Sequence, residues 1–324
     1  MKNLITDVPG LRIGNAHSES ALTGTTIILP DTAAVCGVDV RGGGPGTRET
    51  DALAPENLVE AIDAIILSGG SVYGLGAADG VAAIMGNQGR GFGLMDLPGV
   101  PKSPVIPAAI LYDLANGGDK QWGTSPPYRD LGIAAYEQAS ADFDLGAIGA
   151  GFGARAGAMR GGLGSASQET HDGISVGAIV AVNCFGSVIM PGSDAFWAWP
   201  LEQAGEAGGK RPDPHLTIDG DDWGQAKTNP ALTGRTNTTI ACVATDMALT
   251  PAQAKRVAQM ASAGLARAIR PVFAPFDGDV VFAISTARQP LQEPSALTLA
   301  RIGALAADCL ARAVMRGVHA AQST

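Results

Sequence analysis

Apolar positions near the N-terminus fall in short alternating blocks, LRIGNAH, TGTTIILP and AAVCGVDVRGG, separated by Gly, Pro and Asp. That pattern predicts three strands. A glycine-rich loop, VRGGGPGTRETD, follows. The chain then reads as a short helix over Pro55 to Ile62, a strand DAIILSGG, and a longer helix from about Ser71 through GLGAADGVAAIMG. PVIPAAILYDL reads as a buried strand, ANGGDKQWGTSPPYRD as a loop, and Leu131 to Ser140 as a helix. Two apolar stretches return to sheet: LGAIGAGFGARAGAM and ISVGAIVAVNCFGSVIM. From Pro191 to Asn237 no period is sustained and Gly, Pro, Asp and Trp dominate, so a long irregular loop is expected there.

TTIACVATD then reads as a buried strand. TPAQ at Thr250 to Gln253 has the pattern of a helix start, with an N-cap Thr, Pro at the first turn and Gln three residues on. Helical spacing of Ala254, Val257, Ala261, Leu265 and Ile269 carries that helix to Arg270. DGDVVFAIST is a strand. The last helix begins near Ser295, with Leu299, Ile302, Leu305, Cys309 and Val314 on one face and Arg301, Asp308, Arg312 and Arg316 on another. Long apolar strands with grouped helices predict a layered α/β or α+β domain of two stacked sheets covered by helices.

Composition narrows the function. In 324 residues, 16% are charged and the net charge is -9, which disfavours nucleic acid and anionic membranes as partners. Cys36, Cys184, Cys242 and Cys309 are far apart and mostly inside apolar runs, which suits buried free thiols in a reducing compartment. MKNLITDVPG lacks the apolar core of a secretory signal, and no stretch is long and apolar enough to span a bilayer, so the expected location is the cytoplasm.

Several glycine motifs invite a nucleotide reading. GAGFGARAG nearly fits the dinucleotide fingerprint, but no clean βαβ unit follows it. VRGGGPGT lacks the Gly-Lys-Ser/Thr of a phosphate loop. LSGGSVYG around Ser71 resembles a serine elbow with one residue too many. The four histidines show no paired metal-ligand spacing, and no metal or cofactor is expected.

A different signal is stronger. In GRTNTTIACVATD a polar loop runs abruptly into a buried strand headed by Thr238 and Thr239. Threonine also starts strands for steric reasons alone. Yet Asp277 and Asp279 head a later strand two residues apart, on one face if extended. A paired acid site beside a threonine has chemical use.

These blocks together resemble the DmpA-like family of L-aminopeptidase/D-Ala-esterase/amidases, β-aminopeptidases and 6-aminohexanoate-oligomer endohydrolases (nylon hydrolases). The resemblance is carried by VRGGGPGTRETDAL, IILSGGSVYGLGAADGV, PVIPAAILYDL, GAIGAGFGARAGAMRGGLGSAS, NTTIACVATD and DGDVVFAIST, and is weakest over the loop from Pro191 to Asn237. It implies an αββα sandwich resembling N-terminal-nucleophile hydrolases. It also implies self-cleavage between Asn237 and Thr238, into chains 1–237 and 238–324, and a homo-oligomer of tetramer size or larger. Asn183 and Tyr112 match the family's active-site Asn and Tyr, and Asp277 and Asp279 look like the acidic pair of the nylon-hydrolase branch. That branch has a catalytic Lys where this chain has Ala158, after Gly157. Arg160 resembles the Lys of the aminopeptidase branch, so either Arg160 supplies the positive charge or the site works differently.

The chemistry follows from the residue types. A threonine hydroxyl needs a base, and a freed α-amine, with a pKa of about 7.7–8.0, is the nearest one. Asn183 then suits an oxyanion donor, Tyr112 a group that positions or protonates the leaving amine, and the acid pair an anchor for an ammonium. The expected substrate is a small peptide, amino-acid amide or ω-amino-acid oligomer. Rival readings are an acyltransferase of the ornithine-acetyltransferase type and an unprocessed, non-catalytic binding homologue.

Overall fold

The computed structural model describes residues 1–95, 97–227 and 237–323. In chain order the strands are β1 (Leu11–Ser18), β2 (Thr23–Pro30), β3 (Val35–Val40), β4 (Thr47–Arg48), β5 (Ile65–Ser68), β6 (Ala108–Ile110), β7 (Arg155–Ala156), β8 (Met159–Arg160), β9 (Gly162–Glu169), β10 (Ser175–Asn183), β11 (Thr238–Met247) and β12 (Val280–Gln289). The helices are α1 (Ala77–Asn87), α2 (Tyr128–Glu137), α3 (Pro251–Ala268) and α4 (Ser295–Ala321). One five-stranded sheet has the order β1-β2-β5-β6-β4 and a second the order β3-β12-β11-β10-β9, with β7 and β8 as a separate hairpin.

Strand periodicity builds the layers. Along β11, Ile240 and Cys242 point into the core between the two sheets, where they meet Ile13, Ile28, Ile65 and Phe282. The alternate residues Ala241 and Val243 face α3 and α4, against Val257, Leu265, Leu310 and Val314. The outer face of the first sheet is covered by α1 and α2 through Ile27, Leu29, Ile66, Val81 and Leu131. The order of layers is therefore helix, sheet, sheet, helix, the αββα sandwich expected. All four cysteines are buried free thiols. Among the described residues, no helix is long and apolar enough to cross a membrane.

α3 starts as the TPAQ pattern predicts: Thr250 Oγ1 accepts from the Gln253 N–H at 3.3 Å, and Gln253 Oε1 accepts from the Thr250 N–H at 2.9 Å. Several expectations need correction. Residues 55–62 form turns rather than a helix; Ile62 commits its N–H and carbonyl to Ala34 in an antiparallel bridge, at 2.9 and 3.0 Å, and so takes strand-like pairing instead. LGAIGAGFGARAGAM forms a three-residue 3₁₀ turn and the β7–β8 hairpin, not a long strand. GGLGSASQE, whose small residues hide any alternation, is the full strand β9.

The predicted loop from Pro191 is irregular over its described part, with only a 3₁₀ turn at Trp199–Leu201, but it is not a surface appendage. Ala195, Phe196, Ala198 and Ala207 belong to the core under α4. Residues 228–236 lie outside the described residues. The same loop gives the second face of α4 a buried member, for Arg312 is 2% exposed. Its guanidinium reaches Glu206 through Nε at 2.6 Å and Nη2 at 2.9 Å, and Nη2 also donates to Asn3 Oδ1 at 2.9 Å. Burial opposes the charge of Glu206, but the Arg312 guanidinium holds the carboxyl below its ordinary range.

Removing one partner of a buried ion pair strands the other charge. Arg312→Met is therefore expected to lower the unfolding free energy by roughly 3 kcal/mol, the low end of that class because Arg316 Nε remains 3.5 Å from Glu206. Urea unfolding measures it. A loss below about 1 kcal/mol would mean that the network contributes no more than a surface pair.

Candidate active site

The site forms where three chain segments meet at the start of β11. β10 pairs antiparallel with β11, which sets Asn183 opposite Thr238. β12 pairs parallel on the other side, in a register that matches Ile240 with Val280. Continued backwards, this register makes the bridge between Asn237 and Asp277. The two aspartates are thereby carried to the threonines by strand pairing alone. Thr238, Asn183, Asp277 and Asp279 are all buried.

Thr238 Oγ1 donates to the carbonyl oxygen of Asn237, the carbonyl of the peptide bond that joins the two residues. Gly278 lies between the two acids, and a side chain there would come within 2.8 Å of Thr238 Oγ1. Asp279 Oδ1 accepts from the Thr239 N–H at 2.6 Å, and its Oδ2 from the Phe273 N–H at 3.1 Å. Asp277 Oδ2 accepts from the Ala274 N–H at 3.2 Å, whereas Asp277 Oδ1 is buried without a hydrogen-bond partner among the described residues.

Burial pushes both carboxyls up, Asp277 to about 6 and Asp279 to about 7. For Asp279 the nearby charge of Asp277 adds to the effect, while backbone N–H groups and, at Asp277, the Lys227 ammonium oppose it. The two titrations are coupled, because ionising one carboxyl disfavours the charge of the other.

The glycine loop VRGGGPGT serves this pair. Arg41 and Gly42 donate their N–H groups to Asp279 O at 3.0 and 3.2 Å, and Gly44 donates to Asp277 O at 2.7 Å. A Cβ at Gly42 would sit 2.3 Å from Asp279 N, so only glycine permits this backbone approach. The loop that resembled a phosphate cradle thus spends its N–H groups on protein carbonyls.

Asn183 is fixed at both ends of its amide. Oδ1 accepts from the Arg155 N–H at 2.9 Å, which settles the orientation, and Nδ2 donates to Tyr112 O at 2.9 Å. Tyr112, half-buried, is thereby brought beside Asn183. Arg160 is not gathered in with the rest. It is exposed on β8, and its carbonyl accepts from Gln322 Nε2 at 3.0 Å. Ser71 has φ +52° on the turn after β5, as an elbow would, and its N–H donates to Leu111 O at 2.9 Å.

The positive charge that faces the acids comes from Lys227, which the sequence reading did not single out. Its Nζ donates to Asn183 O at 3.3 Å. Nothing in GQAKTN has a period or a motif, so only its position eleven residues before Thr238 offered a signal. Also unforeseen is an aromatic trio beside the acids: Phe185 stands edge-on to Phe276 at 4.8 Å and to Trp223 at 5.8 Å, with Phe276 and Trp223 partly open to solvent.

A family model described as Peptidase family S58 matches residues 3–324. The chain belongs to that family. It is a hydrolase of the kind that attacks peptide and amide bonds, as the resemblance implied. An uncharacterized aminopeptidase of Mycobacterium tuberculosis is 40% identical over 340 residues, covering 99% of this chain and 94% of that protein. The 6-aminohexanoate-oligomer endohydrolase of Kocuria sp. is 29% identical over 287 residues, 86% of this chain and 74% of that one. Among solved structures, the L-aminopeptidase D-Ala-esterase/amidase of Ochrobactrum anthropi matches with TM-score 0.66 and 23% identity, covering 99% of this chain and 86% of that one. That protein is described as a new variant among the Ntn hydrolase folds, and the likeness confirms the sandwich.

The buried acid pair of this S58 chain has a pH consequence with a definite sign. Both carboxyls titrate higher in the folded chain than in the unfolded one. The folded state therefore binds more protons between about pH 4 and pH 7, and the pair's contribution to stability falls as pH rises through that window. Asp279→Asn is expected to weaken this fall, so the drop in melting temperature from pH 5 to pH 8 is smaller in the variant than in the parent. The same variant is expected to lose at least about tenfold in turnover, about 1.4 kcal/mol of barrier. Equal pH dependence and equal turnover in the two proteins would reduce the pair to packing.

Proposed function

We propose that this chain cuts itself between Asn237 and Thr238 and then hydrolyses small amides with the freed Thr238 as nucleophile. The observation that carries the proposal is the placement of Thr238 Oγ1 against the Asn237 carbonyl, beside Gly278 and the acid pair. In the cut, Oγ1 attacks the Asn237 carbonyl carbon. The C–N bond breaks, its nitrogen takes the hydroxyl proton, and the resulting ester is hydrolysed by water. The products are the Asn237 carboxylate and the Thr238 amine.

That amine titrates near 7.7–8.0 in an unperturbed chain, so it can serve as the base for the next threonine attack. Before the cut it is an amide and cannot. Cleavage thus creates the base and removes the residue that covers a buried nucleophile. Asp277 Oδ1, which has no hydrogen-bond partner among the described residues, is suited to accept from an ammonium, either that of Thr238 or that of a substrate. Asn183, held rigidly, suits the developing oxyanion, and Tyr112 beside it suits the leaving amine.

The expected substrates are short amides with a free amino group and an apolar portion to lie on Phe276 and Trp223. The aminopeptidase name of the 40% identical relative favours this reading. The Asp277/Asp279 pair and the Asn237–Thr238 junction, which match the nylon-hydrolase branch, favour endo-cleavage of longer oligoamides as the second. A homo-oligomer in the cytoplasm fits the exposed Leu94, Met95, Leu97 and Val100 and the four free thiols.

Intact mass is expected to show chains of 237 and 87 residues that co-elute, because the cut would leave β11 and β12 paired with β10 and β3 of the other chain. Thr238→Ala is expected to remain whole. A persistent full-length parent, or a cut elsewhere, would overturn the proposal. Matched substrates with free and acetylated amines decide the substrate class. Preference for the free amine marks an aminopeptidase and equal rates an endohydrolase. Processed protein that instead transfers an acyl group without hydrolysis is an acyltransferase.

A further inference from the structure

Lys227 has no part in the reaction just described, yet among the described residues it is the cation whose charge acts on Asp277. Two backbone contacts carry it inward. The Ala158 N–H donates to Gln225 O at 2.8 Å, and the Lys227 N–H donates to Phe185 O at 2.9 Å. The 225–227 segment is thus pinned between the turn after β7 and the residues just past β10. Gly157 in that turn has φ +57°, and a Cβ there would meet Gln225 O at 2.2 Å. The side chain is directed to the head of β11, where Nζ donates to the carbonyl of Asn183, the register partner of Thr238.

Among the described residues, the charged and titratable groups facing it are Asp277, the Cys184 thiol and Arg155, with Asp279 next to Asp277. Of these, only the aspartates can balance an ammonium, and Asp277 Oδ1 is a buried oxygen with no hydrogen bond among the described residues. Burial pushes the Lys227 ammonium down to about 8, and Asp277 holds it up against Arg155.

We infer that Lys227 is a positioning residue that keeps Asp277 ionised, so that a proton taken up by the acid pair resides on Asp279. This is the charge for which Arg160 was the candidate, delivered from another part of the chain to the neighbourhood of Ala158. It deepens the amidohydrolase reading, since an ionised Asp277 is what an amine-bearing group at Thr238 would need. The cation also rides on the segment that the cut would detach from β11, so the charge balance of the pair depends on that segment staying seated.

The test uses the full chain carrying Thr238→Ala and labelled with ¹³C at the aspartate carboxyls, with signals assigned by Asp277→Asn and Asp279→Asn. Adding Lys227→Met is expected to raise the proton affinity of Asp277 about tenfold, one unit in its titration midpoint. Lys227→Arg, which keeps the charge, is expected to leave the midpoint within a fraction of that. An unmoved Asp277 midpoint in Lys227→Met overturns the inference, and Lys227→Gln gives the same reading if the Met variant does not fold. The titration needs neither a cut nor a substrate. An uncut, inactive parent that shows the shift therefore defeats the amidohydrolase reading alone. An active parent without the shift defeats this inference alone.

Discussion

β11 lies between an antiparallel neighbour and a parallel one, and the site depends on that mixed pairing. The antiparallel side brings Asn183, from the end of β10, opposite Thr238. The parallel side, returned through α3, sets Asn237 against Asp277 and lets Asp279 accept from Thr239. A parallel partner needs a crossover element, and α3 supplies it with a full capping box at Thr250. A slip of one residue in either pairing would turn these side chains to the opposite face. The buried alternation of β11 forbids it, because Ile240 and Cys242 would exchange places with residues packed under α3 and α4.

The same register creates a cost. Two carboxyls are driven into a place that disfavours their charge, and the surrounding backbone is bent to meet them. Gly42 exists to let the backbone pass, and the N–H groups of Arg41, Gly42 and Gly44 are committed to the Asp277 and Asp279 carbonyls. The N–H groups of Phe273, Ala274 and Thr239 solvate the side-chain oxygens, all but Asp277 Oδ1. A protein selected only for stability would replace such a pair with apolar side chains of similar volume. Retaining it where the Thr238 hydroxyl touches the preceding carbonyl is the physical argument for chemistry at this spot.

What could be read in the chain itself follows period and contrast. α3 and α4 were legible from helical spacing and the Thr250 start, and β1, β2, β11 and β12 from apolar runs bounded by turn residues. The threonine head of β11 and the Asp277/Asp279 spacing stood out because polar residues interrupt buried strands there. β9 was missed because Gly, Ser and Ala carry no hydrophobic contrast, although their smallness is what lets α4 approach: a Cβ at Gly164 would meet Ala313 O at 1.9 Å. The burial of Arg312 was not legible because its partner Glu206 lies in an aperiodic stretch. Lys227 was invisible for the same reason. Such partners are set by long-range placement, which leaves no trace in local pattern.

The irregular stretch after Pro191 therefore does more than connect two strands. Its first part is tied into the core by Phe196 and Ala198, and to the C-terminal helix by the Glu206–Arg312 pair. Trp197 also receives the Arg270 guanidinium 5.3 Å from its ring centroid, just before the segment that carries the acids. Its later part is pinned by the Ala158 and Phe185 backbone contacts and delivers Trp223 and Lys227 to the mouth of the site. The segment is held at two separate places, both in contact with residues of the 238–324 portion or with the end of β10. A break at Asn237–Thr238 would thus free one peptide end while leaving the charge and the aromatic wall anchored ten or more residues upstream. Sequence irregularity here reflects a segment fastened by individual side chains and single hydrogen bonds instead of by a ladder, which is the arrangement that allows a chain end to open without dismantling the sheets beneath it.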